Sequence, residues 1–300
     1  GNGQPLVVGK KSFDLATMLS PTDPMRVQVG YVTGSKIVPL GETALSGGQL
    51  GGLFDFRAGT LDRAQNSLGR IATVIASNFN AQNRLGLDAN GAPGGDFFNL
   101  APVQVGASRD NALNSTAVVN ATIRDASALT TSDYKVGYDG SNYVVTRLSD
   151  NAQTLISPYP QTAAQTIDGI DFAISGSSSS GDNFTVRPTF NGAASFGVAL
   201  TDRARIAAAA PITTNAPMTN SGSGKIGEGS VDSNYLTPGN ALTAPVTLSF
   251  NGGNLSGFPA GQAVTKTLNG VTTTYPAGTP SIPFDAGANY AFGGVNISLT

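Results

Sequence analysis

Between Ser46 and Leu85 the apolar side chains fall on one stripe. Steps of four and three residues from Leu50 reach Phe54, Arg57, Leu61, Ala64, Leu68, Ile71, Ile75, Asn78, Gln82 and Leu85, and eight of these eleven positions are apolar. Such spacing is a heptad seam, the pattern of helices that pack side by side at a shallow angle. The stretch has no proline and predicts a single helix over 46–85, about 60 Å long at ~1.5 Å per residue. Ser46-Gly47-Gly48-Gln49 fits a capping box, Leu45 and Leu50 stand where a hydrophobic staple packs, and Gly86 stands where a helix stops. The seam is imperfect. Gly51, Gly52, Gly59 and Gly69 each cost about 1 kcal/mol against alanine. Arg57, Asn78 and Gln82 place polar groups on the seam, where they fix register at the expense of stability. A helix of this kind depends on partners. It is either the core helix of a small helical domain or one wall of a longer bundle.

The flanking pattern is different. Gln4 to Val8 reads as a strand, Ser12 caps a short helix over Phe13–Leu19, and Arg26 to Tyr31 forms a hairpin with Ile37-Val38 across Thr33-Gly34-Ser35-Lys36. After the helix, residues 88–98 carry Asn-Gly and Pro-Gly turn signals, and Phe97 and Phe98 are expected to tuck this loop back onto the seam. Asp88, Asn90 and Asp96 have some of the spacing of a calcium loop. Proline at the sixth position and the absence of a closing glutamate favour a structural turn.

From about Leu113 the apolar period changes from helical to two. Strands are predicted over 116–125, 134–138, 143–148, 170–175 and 184–187, with turn signals every ten or so residues. This rhythm indicates antiparallel sandwich-like or barrel-like domains. Thr201 to Ala210 suits a short helix ended by Pro211, and residues 213–239 suit a linker or exposed loop. Strands return at 246–250, 264–268 and 271–275. Gly222-Ser223-Gly224-Lys225-Ile226-Gly227 spells Gly-x-Gly-x-x-Gly, but with no strand before it and no helix after it the phosphate-binding reading fails. One internal echo stands out: Gly169 to Ser175 (GIDFAIS) aligns with Gly294 to Thr300 (GVNISLT). The first copy runs on into a further strand, which predicts that the second belongs to a longer β unit.

Composition narrows the function classes. Charged residues are 12% of the chain, against about 25% in ordinary soluble domains, and the net charge of −2 with no basic cluster argues against a nucleic-acid surface. No apolar run is long enough to span a membrane, and no charged-then-apolar leader opens the chain. The absence of cysteine removes disulfides and thiolate metal sites. The absence of histidine removes the Ser-His-Asp and Cys-His triads and the zinc-protease motifs. Asp182, Asp202 and Glu228 are carboxylates of the kind catalysis enlists, but no spacing pairs them. No catalytic residue, cofactor or metal site is predicted.

The order of motifs supports a resemblance. Gly47 to Arg57 (GGQLGGLFDFR), Leu61, Asn80-Ala81-Gln82 and Gly94 to Phe98 (GGDFF) resemble the flagellar hook-associated proteins of the FlgK type. So do Asp133 to Val136, Tyr138-Asp139-Gly140, Gly181 to Pro188 (GDNFTVRP) and Ile206 to Pro211. The resemblance covers roughly residues 1–211. It implies a non-enzymatic structural subunit of the hook–filament junction, exported through the flagellar type III channel to the extracellular flagellum. In such proteins terminal helices form an inner coiled-coil layer and β domains project outward as surface antigens; the Ala/Asn-rich and Gln/Tyr-rich terminal helices of the family are not within this sequence. Implied partners are the hook protein, a second junction protein, the flagellin side, copies of the same subunit, and an export chaperone reached through a terminal segment.

The expected architecture is an elongated α+β multidomain chain: residues 1–111 as part of a helical bundle with a small β element, 112–211 as an antiparallel β domain, and 212–300 as a second, outer β domain. The seam residues Leu50, Phe54, Leu61, Leu68, Ile71 and Ile75 are expected to face the family's terminal helices and the small β element, with part of the seam open to solvent in this monomeric chain. The alternative is an adhesive, glycan-binding outer module carried on the Thr/Ser/Asn-rich loops of 213–240.

Overall fold

The computed structural model describes residues 7–23, 26–40, 45 and 47–300. Ser46, and with it the expected capping box, lies outside these residues, as does the 4–6 part of the first expected strand. Among the described residues the chain divides into two compact units, one of residues 1–77 with 99–197 and the other of 78–98 with 198–300.

The first unit opens with a short ladder, β1 (Val7–Val8) with β2 (Lys11–Ser12), and a three-stranded antiparallel sheet of β3 (Leu15–Leu19), β4 (Val27–Thr33) and β5 (Lys36–Pro39). The β4–β5 hairpin forms as expected, whereas the helix expected over Phe13–Leu19 is β3. Pairing decides the matter: Leu15 to Leu19 meet Tyr31 to Val27 residue for residue, a non-local ladder invisible to local propensity. Gly30 admits this packing, since a methyl there would meet Met18 Sδ at 2.9 Å and the Val38 carbonyl at 3.0 Å.

The long helix forms in three parts. α1 (Gly48–Phe56) passes through a π-helical turn (Arg57–Leu61) into α2 (Asp62–Arg84). Its N-cap is Gly47 at φ 83°, with no side-chain cap. A π turn carries an extra residue per turn and rotates the following face, so the seam is not one straight heptad line.

Beyond the helix, β6 (Gln104–Ala107), β7 (Val118–Ile123), β8 (Tyr134–Tyr138), β9 (Tyr143–Arg147), β10 (Gln153–Leu155), β11 (Gln165–Ile167), β12 (Ile170–Ser175) and β13 (Asn183–Arg187) make two antiparallel sheets. Their orders are β10-β9-β8-β13-β6 and β11-β12-β7, so the expected sandwich is present with open sheets and not as a closed barrel. Inward residues at alternate positions, among them Val136, Val145, Phe172 and Val186, form one buried core, as period-two alternation requires.

In the second unit, β14 (Ser230–Val231), β15 (Ser249–Asn251), β16 (Asn254–Ser256), β17 (Val264–Leu268), β18 (Val271–Tyr275), β19 (Ser281–Pro283), β20 (Ala288–Phe292) and β21 (Val295–Leu299) form a five-stranded sheet, β14-β21-β20-β17-β18, and a three-stranded sheet, β15-β16-β19. They enclose a separate core around Leu255, Ile282, Tyr290 and Phe292. Two expectations are corrected here. The 201–210 segment is not a helix: Asp202 caps a 3-10 turn at Arg203–Arg205, and beyond it Ala209 bridges to Leu87. The supposed loop of 213–239 is partly an edge strand, because Lys225 and Thr300 exchange backbone hydrogen bonds of 2.7 and 2.9 Å and Gly227 N–H donates to the Ser298 carbonyl.

Candidate assembly surface

The two faces of the long helix reverse the usual order of polarity. Within the first unit its buried positions on α2 are Asn66, Gly69, Ala72, Thr73 and Ala76, a stripe of small and polar residues. The apolar seam points outward: Leu50 is 40% exposed, Leu61 54%, Leu68 60%, Ile71 54% and Ile75 48%. Phe54 is half-buried, with the Arg57 guanidinium over its ring at 5.0 Å. Leu53 and Phe56 add further exposed apolar surface on α1. A soluble helix ordinarily turns its apolar stripe to the core; here specific polar contacts hold the other face down.

Those contacts are built residue by residue. Asn66 Nδ2 donates to the Thr131 carbonyl and to Asp133 Oδ1 at 3.0 Å, and Arg70 Nε donates to the Leu129 carbonyl at 2.5 Å. Gln65 Nε2 reaches the Phe190 carbonyl. At Gly69 the helix backbone lies directly against the Thr189–Gly192 turn, where any side chain would strike the Thr189 carbonyl. This is the use of that glycine. Gly52 and Gly59 have open space where a Cβ would stand, so of these three glycines Gly69 is the one that the packing against the β domain requires.

A charged joint ties the same helix to the small β sheet and the first β core. Arg187, nearly buried, pairs with Asp23 at 2.6 Å and Asp133 at 3.2 Å. Arg26 pairs with Asp62 at 2.6 Å. On the seam, Arg57 Nη1 donates to the Val27 carbonyl at 3.2 Å, which gives that polar seam position its role. Burial pushes the Asp133 carboxyl above the ordinary carboxylate value, against the pull of Arg187 and the Asn66 hydrogen bond. Removing one member of such a group strands a buried charge, at a cost of about 3–5 kcal/mol.

In the second unit the end of α2 organises the loop that follows. Asn80 is fully buried; its Oδ1 accepts from Phe97 N–H and Phe98 N–H and its Nδ2 donates to the Phe98 carbonyl, each at 2.8 Å. Asn83 Nδ2 donates to the Gly95 carbonyl, and its Oδ1 accepts from Ala207 N–H. Phe97 and Phe98 pack on Phe79, with ring centroids 4.7 and 5.2 Å away, and so tuck in beside the seam line. Asp88 accepts the amides of Asn90 and Ala92, a closed structural turn that lowers its carboxyl pKa.

The carboxylates singled out from the sequence serve the backbone. Asp182 accepts from Ala112 N–H and Ser179 N–H at 2.8 Å, and Asp202 caps its 3-10 turn, whereas Glu228 is exposed. Among the described residues there is no group of three or more acidic side chains placed to hold a metal ion, and no helix is long and apolar enough to cross a membrane.

Three family models match in succession: the flagellar hook-associated protein FlgK helical domain over residues 1–98, the flagellar hook-associated protein 1 D2-like domain over 109–188, and the D3 domain of the same protein over 211–297. The chain belongs to the FlgK family of flagellar hook-associated proteins. Flagellar hook-associated protein 1 of Escherichia coli K12 is 35% identical over 209 residues, which is 69% of this chain and 38% of that protein. The same protein of Salmonella typhimurium is 35% identical over 211 residues, 69% of this chain and 37% of its own length. The chain therefore spans under two-fifths of the length of these relatives. The flagellar hook junction protein FlgK of Burkholderia pseudomallei superposes with a TM-score of 0.87 at 37% identity, over 99% of this chain and 57% of that one. These matches lend the glycan-binding alternative no support.

Proposed function

We propose that the chain is the core of a non-enzymatic structural subunit at the junction between flagellar hook and filament. The exposed apolar seam is the observation that carries this reading. Leu50, Leu61, Leu68, Ile71 and Ile75 lie open on a helix whose other face is held by polar contacts, and contiguous exposed apolar surface marks an interaction site. In this reading the seam packs against the terminal helices of the longer protein and forms the inner wall of a tube. The β domains project outward, and the subunit meets copies of itself, the hook protein, the second junction protein and the flagellin side. Export through the flagellar channel, with a chaperone engaged by a terminal segment, places it on the extracellular flagellum.

The test is complementation with the full-length natural protein in a cell lacking its own junction protein. Filaments growing on hooks are the expected result. Folded, exported protein with bare hooks overturns the proposal.

A further inference from the structure

The second β core repeats six strands of the first, and two strands of the first, β6 and β13, have no counterpart in it. β7 pairs with β12 as β14 pairs with β21, antiparallel in both. Each leading strand is followed within two residues by an aspartate, Asp125 or Asp232, whose side chain caps a 3-10 turn. The N–H of that aspartate donates to the carbonyl of Gly169 or Gly294, at 3.0 and 2.9 Å. Both glycines close two-residue hairpin turns with positive φ at both positions, Asp168-Gly169 at 50° and 78° and Gly293-Gly294 at 53° and 81°. The sequence echo thus marks a structural repeat, in which β8–β9 corresponds to β15–β16, β10 to β19 and β11–β12 to β20–β21. The β17–β18 hairpin is an addition on the outer edge of β20.

Register makes the correspondence exact to the residue. In the first core Tyr138 faces Tyr143, whose carbonyl accepts the N–H of Ile156. In the second, Phe250 faces Leu255, which faces Ile282. Ile156 and Ile282 are both 0% exposed. On the far side of Tyr138 lies β13: Tyr138 N–H donates to the Asp182 carbonyl and the Tyr138 carbonyl accepts from Gly181 N–H, each at 2.9 Å, and Phe184 faces Val136. Among the described residues the sheet order ends on the far side of Phe250. Phe250 is 61% exposed, and its inward-facing row continues to Leu248 and Val246, which line the core as Val136 and Tyr134 do.

We propose that the free edge of β15 accepts an antiparallel strand, and that the strand is a segment of the same polypeptide lying C-terminal to β21. Chain order selects this occupant, because β13 follows β12 directly and its counterpart must follow β21. The relatives have the chain to supply it, since this sequence covers 38% of the Escherichia coli protein. β13 begins eight residues after β12 ends, from Ser175 to Asn183, and it buries Phe184 and Val186. The occupant therefore carries two apolar residues two positions apart, a similar distance beyond Thr300. Main-chain pairing supplies its affinity and those two side chains its register, as in strand addition generally. It would also cover an apolar sheet edge that otherwise invites aggregation.

Amide hydrogen exchange resolved to single residues tests this in the full-length protein, in the chain of residues 1–300, and in a chain extended by about 25 natural residues, room for a connection and a strand. The amides of Leu248 and Phe250 are expected to exchange at least ~10-fold more slowly in the full-length and extended chains than in 1–300. The amide of Tyr138 stays equally protected in all three. Equal exchange of Phe250 in all three chains overturns the proposal. So does protection in the full-length protein that is missing from the extended chain, which assigns the edge to another segment. Protection in 1–300 that rises with concentration assigns it to a second copy and also overturns the proposal. None of these results bears on whether filaments grow, so the junction reading stands or falls separately.

Discussion

At Gly69 the helix backbone presses on the Thr189 carbonyl, and a methyl group has no room. Overpacking of this kind costs about 1–3 kcal/mol, more than the ~1 kcal/mol that alanine gains over glycine inside a helix. Gly69→Ala is therefore expected to lower the stability of the first unit, whereas Gly52→Ala, with open space around it, is expected to leave it unchanged or raise it by up to about 1 kcal/mol. Denaturant unfolding of the two variants checks the contrast, and equal effects would contradict the packing described. Asp168 gives a pH test. Burial alone raises its carboxyl, but hydrogen bonds from Arg147 and Tyr134 and the Arg147 charge outweigh that and leave its pKa below the ordinary 3.8. A depressed folded-state pKa contributes stability that is present above the unfolded value and lost as pH falls through the folded one. Asp168→Asn keeps the positive-φ turn and the shape. The stability difference between wild type and variant is expected to shrink as pH falls below 3.8. Asp133, whose raised pKa acts in the opposite direction, is common to both proteins and cancels in the difference. A difference independent of pH would show that the Arg147–Asp168 pair does not act as described.

The long helix has its stability on one face and its apolar surface on the other, so the two separate under mutation. Replacing Leu68, Ile71 and Ile75 together by glutamine, a good helix former, removes exposed apolar side chains and no buried ones. The chain of 1–300 is expected to keep its midpoint of unfolding, with each exposed change within about 0.5 kcal/mol; a large loss would mean that the seam is internal packing. The helix is legible from its heptad spacing, and β7, β8, β9, β12, β13, β17 and β18 from alternation, because each pattern records which side of an element meets other atoms, whereas β6, β10, β11, β16, β19 and β20 are not predicted. Three features were not legible. The π turn at Arg57–Leu61 leaves no mark on residue type. Leu15–Leu19 and 201–210 have helical composition, but pairing with β4 and the Ala209–Leu87 bridge override it. The polar stretch at 225–231 looks like a loop because edge strands are polar for their own reasons. The seam is readable as apolar, and its partial opening to solvent, expected because its partner helices lie outside this sequence, is met at Leu61, Leu68, Ile71 and Ile75.

Among the described residues the chain has two β cores, one in each compact unit, and a helix whose apolar face is largely exposed. Residues of the motifs Gly47–Arg57, Asn80–Gln82 and Gly94–Phe98 have specific structural jobs: Arg57 donates to the Val27 carbonyl of β4, Asn80 holds Phe98, and the Gly95 carbonyl accepts from Asn83. The echo at 294–300 was legible as sequence, while the strand topology it belongs to needed the register of both sheets. The central claim is that the exposed seam is the surface through which the subunit assembles. Its most direct test is filament growth in cells lacking their own junction protein and supplied with the full-length protein carrying Leu68→Gln, Ile71→Gln and Ile75→Gln. The account predicts folded, exported protein and hooks that fail to carry filaments; filaments of normal number and length would contradict it.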